Sequence, residues 1–142
     1  STMSRAPLKR IGIIALLCTL TLVDAFEMAT TLRNLCNDNS NRALILPGVY
    51  DSLSAKIFTD SGAEAIFLSG FGVSASRLGC PDAGILTLSE MEDTAKSVIH
   101  ATGGNIPVIV DGDTGYGGAV NIRRTVRGLA SVGAAAVTIE DQ

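Results

Sequence analysis

The stretch that decides the fold reads Ile106-Pro-Val-Ile-Val-Asp-Gly-Asp-Thr-Gly-Tyr-Gly-Gly118. Its apolar residues at positions 108–110 suit a β-strand that is covered on both faces. Because alternate residues of an extended chain point the same way, Asp111 and Asp113 can face one site. Two carboxylates this close repel each other unless a cation or a proton lies between them, and Mg²⁺ is the natural occupant. A solvated Asp-Gly turn is the alternative at this point.

The same arrangement, an apolar run followed by polar and glycine residues, recurs along the chain. Short apolar runs of this length, bounded by turn residues, are typical of buried strands. We therefore predict strands at Ala43–Leu46, where Pro47-Gly48 closes the run, and at Ala65–Leu68, Ile106–Val110 and Ala135–Ile139.

Three helices are predicted between these strands. Asp51 can cap the first, and residues 87–90 have the spacing of a capping box at the start of the second. The third begins after Gly117-Gly118 and ends at Gly133. The apolar faces expected from helical periodicity are Leu53, Ile57 and Phe58 in the first helix, Leu88, Met91, Ala95, Val98 and Ile99 in the second, and Ile122, Val126 and Leu129 in the third, with Arg123, Arg124 and Arg127 on its wetter side.

Alternating strands and helices predict a parallel sheet with right-handed crossovers, either doubly wound or a (β/α) barrel. In both folds, ligands bind at the carboxyl ends of the strands. Ser69, Asp111, Asp113 and Glu140 all follow or end predicted strands, so the fold would gather them around one mouth. For Glu140 a solvated loop entrance is the alternative.

Five ordered motifs then carry a family resemblance. They are Pro47-Gly-Val-Tyr-Asp-Ser-Leu-Ser-Ala55, Ser69-Gly-Phe-Gly-Val-Ser-Ala-Ser76, Pro81-Asp-Ala-Gly84, Asp111-Gly-Asp-Thr-Gly-Tyr-Gly117 and Ile139-Glu-Asp-Gln142. Together they resemble the isocitrate lyase and phosphoenolpyruvate mutase superfamily, and within it the plant carboxyphosphonoenolpyruvate-mutase-like and petal-death-type proteins. The resemblance implies a (β/α)₈ TIM-type barrel, a bound Mg²⁺ for which Mn²⁺ could substitute, and cleavage or formation of C–C or P–C bonds through enolates.

The resemblance also assigns roles to single residues. Asp111 is similar to the aspartate that contacts Mg²⁺, and Asp113 and Glu140 resemble carboxylates that hold the water shell of the metal. Such water-mediated binding suits Mg²⁺, which dehydrates reluctantly. The expected substrate-binding residues are Phe67, Ser69, Gly70 and Phe71, and the expected catalytic residues are Ser69 and Asp82.

Two of these assignments have simple structural alternatives. Phe67 suits the core of a strand as well as it suits a substrate pocket, and Asp82 could belong to a plain Pro-Asp turn. The metal assignment rests on carboxylates that the fold itself would bring together, so it depends least on the resemblance.

The function implied is that of a Mg²⁺-dependent carbon–carbon lyase acting on 2-hydroxy or 2-oxo dicarboxylates similar to 2-methylisocitrate, dimethylmalate or oxaloacetate. A phosphonomutase acting on a P–C bond is the alternative within the same fold. A non-catalytic fragment and a phosphate binder that uses Gly115, Gly117 and Gly118 are alternatives from other classes. Two carboxylates beside those glycines disfavour an anion there.

Four strands correspond to the N-terminal half of such a barrel, which takes about 250 residues. We therefore expect residues 26–142 to be a truncated barrel part, inactive alone and homo-oligomeric when full length. Its substrate would be a small carboxylate. In the family the segment after Gln142 holds a gating loop, with a catalytic cysteine in the lyases, and it would separate lyase from mutase.

Residues 1–25 form a signal-like or targeting-like leader, because basic residues precede an apolar run at positions 11–23. That run is too short for a stable membrane span. The leader suggests a secretory route or a plastid, with the cytoplasm as the alternative. Residues 37–41 are expected to link a leading helix to the first strand.

Composition limits the remaining classes. The net charge of −3 argues against a nucleic-acid surface, and 46% hydrophobic residues suffice for a buried core. The three cysteines, Cys18, Cys36 and Cys80, lack the spacing of a zinc site, and their odd number does not support a disulfide framework. Cys80 and the single histidine, His100, are expected to play no catalytic role.

Overall fold

The computed structural model describes residues 25–38 and 42–141, which contain an open, parallel sheet of four strands that lie side by side in chain order. Two predicted segments lie wholly or partly outside the described residues: the leader, except for residue 25, and residues 39–41 of the linker. Cys18 belongs to the leader and is also outside them. The elements are α1 (25–36), β1 (Gly48–Val49), α2 (Ser52–Asp60), β2 (Ile66–Leu68), α3 (Gly70–Val73), a π-helical segment (Ser74–Leu78), α4 (Leu88–Ala101), β3 (Val108–Asp111), α5 (Ala119–Ser131) and β4 (Ala136–Thr138).

The alternating parallel fold predicted from the sequence is confirmed, but the first strand was misplaced. β1 is Gly48–Val49, and the predicted run Ala43–Leu46 lies before it, outside the sheet. In the observed register Gly48 pairs with Phe67, so residues 43–46 would have to pair with residues 62–65. Residues 62–65 directly follow the end of α2, and Gly62 has a left-handed backbone. They therefore form no extended segment with which residues 43–46 could pair.

The N-termini of α2 and α4 form as their sequences predict. The Asp51 carboxylate accepts a hydrogen bond from the Ser54 N–H at 2.7 Å, and the Ser54 hydroxyl accepts one from the Asp51 N–H. Thr87 and Glu90 make the expected capping box of α4. Hydrogen bonds donated by Thr87 hold the pKa of the Glu90 carboxyl below its usual value. Each of the two helices therefore begins directly after its predicted cap residue.

The predicted apolar face is correct for α4, partly correct for α5 and wrong for α2. Met91, Ala95 and Val98 are buried, as expected. The predicted stripe of α2 is wrong within the described chain, because that helix buries its small residue, Ala55, on the side that packs beside α4. In α5, Thr125 and Leu129 are buried while Val126 is exposed. The outward-facing residues are Leu53, Ile57 and Phe58 in α2, and Arg123, Arg124 and Arg127 in α5, the latter as predicted.

Alternate strand residues build two apolar layers, one on each face of the sheet. The larger layer joins β2 and β3 to the outer helices through Leu68 and Val110. The smaller joins Ile109 to Leu32 of α1, with Phe67 packed against it. No helix within the described residues is long and apolar enough to cross a membrane.

Candidate active site

A cavity of about 170 Å³ lies at the carboxyl ends of the strands. Asp111 ends β3, Ser69 directly follows β2, and Glu140 follows β4 by two residues. The predicted parallel topology therefore brings distant segments to one edge of the sheet. The cavity is lined by Gly70, Asp82, Gly84, Leu86, Asp111, Asp113, Tyr116 and Glu140.

Both oxygens of the Asp111 carboxylate are held by backbone donors. Oδ2 accepts the Gly70 N–H at 2.9 Å, and Oδ1 accepts the Asp113 N–H at 3.0 Å. A Cβ on residue 70 would lie 3.0 Å from Oδ2, so the absence of a side chain at Gly70 lets the two loops approach. Gly70 is one of the substrate-binding residues expected from the resemblance, and in this structure its N–H donates to Asp111.

The Asp-Gly-Asp turn is fixed against β4. The Gly112 N–H donates to the Thr138 carbonyl at 2.9 Å, and the Glu140 N–H donates to the Asp113 carbonyl, also at 2.9 Å. A Cβ at position 112 would lie 2.8 Å from that Thr138 carbonyl oxygen. The turn and the loop that carries Glu140 are therefore parts of one backbone network.

Asp113 has a left-handed backbone, with φ of 49°. A non-glycine residue there is uncommon, although aspartate tolerates it better than most. Its Oδ1 accepts the Thr114 N–H at 2.6 Å, which supports the turn locally. Strained backbone of this kind is found where surrounding contacts determine it, and functional loops are a frequent setting.

Ser69 caps the short helix α3 rather than lining the acidic cavity. Its Oγ accepts the Gly72 N–H at 3.2 Å, which leaves the hydroxyl proton available to another acceptor. Phe71 is 57% exposed beside it. Phe67 lies on β2 and packs against the Ile109 layer, so its contacts are those of a core residue.

Asp82 lines the cavity from the loop after the π-helical segment. The buried hydroxyl of Ser74 lies 3.2 Å from the Cys80 carbonyl and 3.0 Å from the Pro81 carbonyl. Because a buried hydroxyl needs a hydrogen-bond partner, Ser74 is directed at these carbonyls and holds the backbone just before Asp82. The sequence motif drew attention to Asp82 and gave no sign of Ser74.

Tyr116 is the lining residue that sequence reasoning missed. It is half-buried, its φ is 58°, and it packs against the larger apolar layer. Burial raises the pKa of its phenol well above the usual value, and the negative charges of Asp113, Asp111, Asp82 and Glu90 add to the rise. The phenol therefore stays protonated. Its place within the glycine-rich motif was visible, but an aromatic residue between glycines resembles an ordinary loop residue.

The donor set of the cavity suits a hard divalent cation. Among the residues that the structure describes, four carboxylates line it and no lysine or arginine does. The ion pairs found among the described residues involve Arg42, Lys56 and Arg77 with other acids, so these four carboxylates are not neutralised by them. Oxygen ligands and uncompensated negative charge are what Mg²⁺ requires.

The side chains do not form a closed coordination sphere. Within residues 25–38 and 42–141, no three His, Cys, Asp or Glu side chains lie close enough together to bind one ion directly. Asp111, Asp113 and Glu140 share the cavity instead. Such an arrangement fits a metal held partly through water, which is the mode that the resemblance implied.

Residues 32–142 match the protein family described as phosphoenolpyruvate phosphomutase. The chain belongs to this family. Among the phosphoenolpyruvate phosphomutase relatives, the chloroplastic carboxyvinyl-carboxyphosphonate phosphorylmutase of Arabidopsis thaliana is 52% identical over 99 residues, which cover 70% of this chain and 29% of the relative. The 2,3-dimethylmalate lyase of Eubacterium barkeri is 42% identical over 104 residues, or 73% of this chain and 35% of the relative.

Solved structures of related proteins share the fold. An oxaloacetate acetylhydrolase in complex with the product oxalate superposes with a TM-score of 0.76 at 39% identity, over 82% of this chain and 40% of the other. A phosphonopyruvate hydrolase complex with oxalate and Mg²⁺ gives a TM-score of 0.73 at 33% identity, over 81% and 39%. The predicted family and fold class, four strands from a (β/α)₈ barrel, are thereby confirmed. The chain spans about a third of the length of the curated relatives it matches.

Proposed function

We propose that the whole protein is a Mg²⁺-dependent carbon–carbon lyase that acts on 2-hydroxy or 2-oxo dicarboxylates. The observation that carries the proposal is the cavity at the strand ends, where four carboxylates meet and the described part of the chain contributes no cationic side chain. The family includes relatives named as lyases for substrates of this kind, such as 2,3-dimethylmalate lyase. The activities for which these relatives are named suggest the substrate class, and the cavity gives the chemical reason for a metal.

Asp111, Asp113 and Glu140 would hold the metal, Mn²⁺ being able to replace Mg²⁺. When bound, such an ion stabilises the negative charge that develops on substrate oxygens as the adjacent bond breaks. The related phosphonopyruvate hydrolase was solved with oxalate and Mg²⁺, which supports this assignment. The two backbone donors on Asp111 fix the carboxylate in one orientation, so little reorganisation is needed when the site is loaded.

The remaining site residues would bind and orient the substrate. Ser69 keeps its hydroxyl proton while its oxygen caps α3, so it can donate to a substrate carboxylate. Tyr116 remains protonated at neutral pH and can also donate. Asp82 faces the same cavity as a candidate proton acceptor or donor. Phe71, exposed beside Ser69, can exclude water from one side of the substrate. Phe67 would act indirectly, by supporting β2 from the apolar layer.

A phosphonomutase is the second candidate, favoured by the 52% identity to a phosphorylmutase. Rearrangement of a P–C bond could use the same cavity and the same carboxylates. The products distinguish the two. A lyase releases a 2-oxo acid such as pyruvate or glyoxylate, whereas a mutase changes the ³¹P resonance of a phosphonate without releasing one.

The test is a metal-dependence assay on the whole protein with a panel of 2-hydroxy and 2-oxo dicarboxylates. Dialysis against EDTA should abolish product release, and Mg²⁺ or Mn²⁺ should restore it. Lactate-dehydrogenase coupling detects pyruvate, and a separate assay detects glyoxylate. Full activity in the chelator would refute the metal-dependent mechanism. Residues 1–142 alone are proposed to be an inactive barrel part, and the active form a homo-oligomer, which size-exclusion chromatography with light scattering would test.

Localisation is proposed from the leader and from the name of one relative. The Arabidopsis relative is named as chloroplastic, which is compatible with a plastid for this protein. The basic and apolar pattern of residues 1–25 suits a plastid or a secretory route. A fluorescent protein fused after residue 25 should leave the cytoplasm in cells of the source organism, and uniform cytoplasmic fluorescence would contradict the targeting role.

A further inference from the structure

One threonine of α5 makes a hydrogen bond unlike those of most other helical threonines. Thr30, Thr59 and Thr94 each donate to the carbonyl four residues earlier in their own helix. Thr125 instead donates from Oγ1 to the Gly115 carbonyl at 2.8 Å, outside the helix. Its side chain is fully buried. A buried hydroxyl directed at a loop carbonyl ties that loop to the helix.

The loop in question carries the two aspartates of the cavity. Gly115 stands between Asp113 and Tyr116, which both have left-handed backbones. The Gly115 N–H closes the turn by donating to the Gly112 carbonyl at 2.8 Å, and its own carbonyl receives the Thr125 proton. Both polar groups of Gly115 are thus used to keep the turn in its unusual conformation.

The same face of α5 holds Gly115 by packing as well. Ile122 lies one helical turn before Thr125, and its side chain occupies the space that a Cβ at position 115 would need. Residues three apart on a helix lie on one face, so the two side chains act on the loop together. Gly115 is thus held both by an apolar contact with Ile122 and by a hydrogen bond from Thr125.

Thr125 does not line the acidic cavity. It lines an adjoining cavity with Asn121 and Arg124, whereas the acidic cavity is lined by the turn itself. Any effect of Thr125 on the carboxylates must therefore pass through the backbone of the turn. Partners of this kind, one step removed from the ligands, commonly change metal affinity by about 10- to 100-fold.

We propose that Thr125 is a positioning residue whose buried hydroxyl fixes the Asp111–Tyr116 turn in its metal-binding conformation. The inference rests on the proposed function for its metal. It adds that α5, which supplies no carboxylate to the cavity, sets the geometry of the carboxylates.

The experiment compares three variants of the whole protein. Thr125→Val keeps the shape and removes the hydroxyl, and Thr125→Ser keeps the hydroxyl. Thr102→Val is the matched control, since Thr102 is also buried but donates to the Ile99 carbonyl at the opposite end of the sheet. Calorimetric titration with Mn²⁺, hydrogen exchange of residues 112–117 and thermal unfolding are measured for each.

Thr125→Val should weaken Mn²⁺ binding about tenfold and speed exchange in the turn, while Thr125→Ser stays near the parent. Thr102→Val should leave both quantities unchanged even if its unfolding temperature falls equally. Parent-like affinity and exchange in a folded Thr125→Val would overturn the inference. If the parent itself binds no Mn²⁺, the proposed metal site fails, and the exchange data alone decide whether Thr125 orders the turn.

Discussion

The two ends of the sheet carry cavities of opposite character. At the amino end of β3 and β4, a larger cavity of about 640 Å³ is walled mainly by apolar and glycine residues, with Ile99, Ile106 and Val132 among them. At the carboxyl end, the cavity is about 170 Å³ and is walled by four carboxylates. Size alone would select the wrong end. The convergence of like charges, which folding alone would disfavour, is the reason for proposing the metal site at the carboxyl end.

The largest effect is expected from a substitution in β3 that disrupts folding, at a position close to the carboxylate Asp111. Ile109 is 9% exposed and lies two residues before Asp111. Ile109→Asp buries an unpaired charge in the smaller apolar layer and should destabilise the protein by more than about 4 kcal/mol. Chemical denaturation would measure the loss, with Ile109→Val as the mild control. A folded and active Ile109→Asp protein would show that this layer is not a core.

Asp111→Asn should leave the fold intact and remove the chemistry. The amide keeps the size of the side chain but can accept only one of the two backbone N–H groups that hold Asp111, so the turn loosens locally while the overall fold remains. The charge that the proposed metal requires is lost. We expect product release to fall about 100- to 1,000-fold, the usual effect of removing one electrostatic contributor. Asp60→Asn, the same change on the exposed face of α2, is the control. Near-normal rates would rule out Asp111 as a ligand, and unfolding would make its role structural.

Gly70→Ala tests the close approach of the two loops. Its new methyl would lie 3.0 Å from the Asp111 Oδ2, so that carboxylate must shift by a few tenths of an ångström. A displacement of this size should reduce activity about tenfold, because displacements near 1 Å cost about 100-fold. Gly48→Ala meets no atom within 4 Å and serves as the control. Equal rates for the two variants would show that the approach is unimportant.

The smallest effect is expected at the amino end. His100 lines the larger cavity near the end of α4. His100→Ala should change stability by no more than about 0.5 kcal/mol and leave kcat and KM unaltered. Steady-state assays on the whole protein would measure this. A tenfold loss of activity would mean that the amino-end cavity shares in the function after all.

The sequence was most informative where one physical rule dominated. The capping residues Asp51 and Thr87 located two helix starts, and the parallel topology placed Asp111 and Glu140 at one edge. It failed where partners at a distance decide the outcome. Residues 43–46 looked like a strand but lack an extended neighbour, and the apolar side chains at 53 and 57 point away from α4.

The site was predictable to a similar degree. Motif spacing identified the carboxylates that line the cavity, and the family resemblance added Asp82. Tyr116 and Thr125 escaped notice because their roles depend on left-handed backbone and on a bond between residues ten positions apart. Neither feature leaves a periodic signal in the sequence.

The backbone hydrogen bonds that join the Asp-Gly-Asp turn to β4 and the loop after it also determine when the turn can form during synthesis. Gly112 and Asp113 are joined to Thr138 and Glu140, which leave the ribosome more than 25 residues later. Nascent chains fold from the N-terminus as they emerge, at about 5–20 residues per second. The apolar layers around β2 and β3 can therefore consolidate first, while the acidic turn must wait for β4. Capture of the proposed metal is thus expected to be a late step in the maturation of the nascent chain.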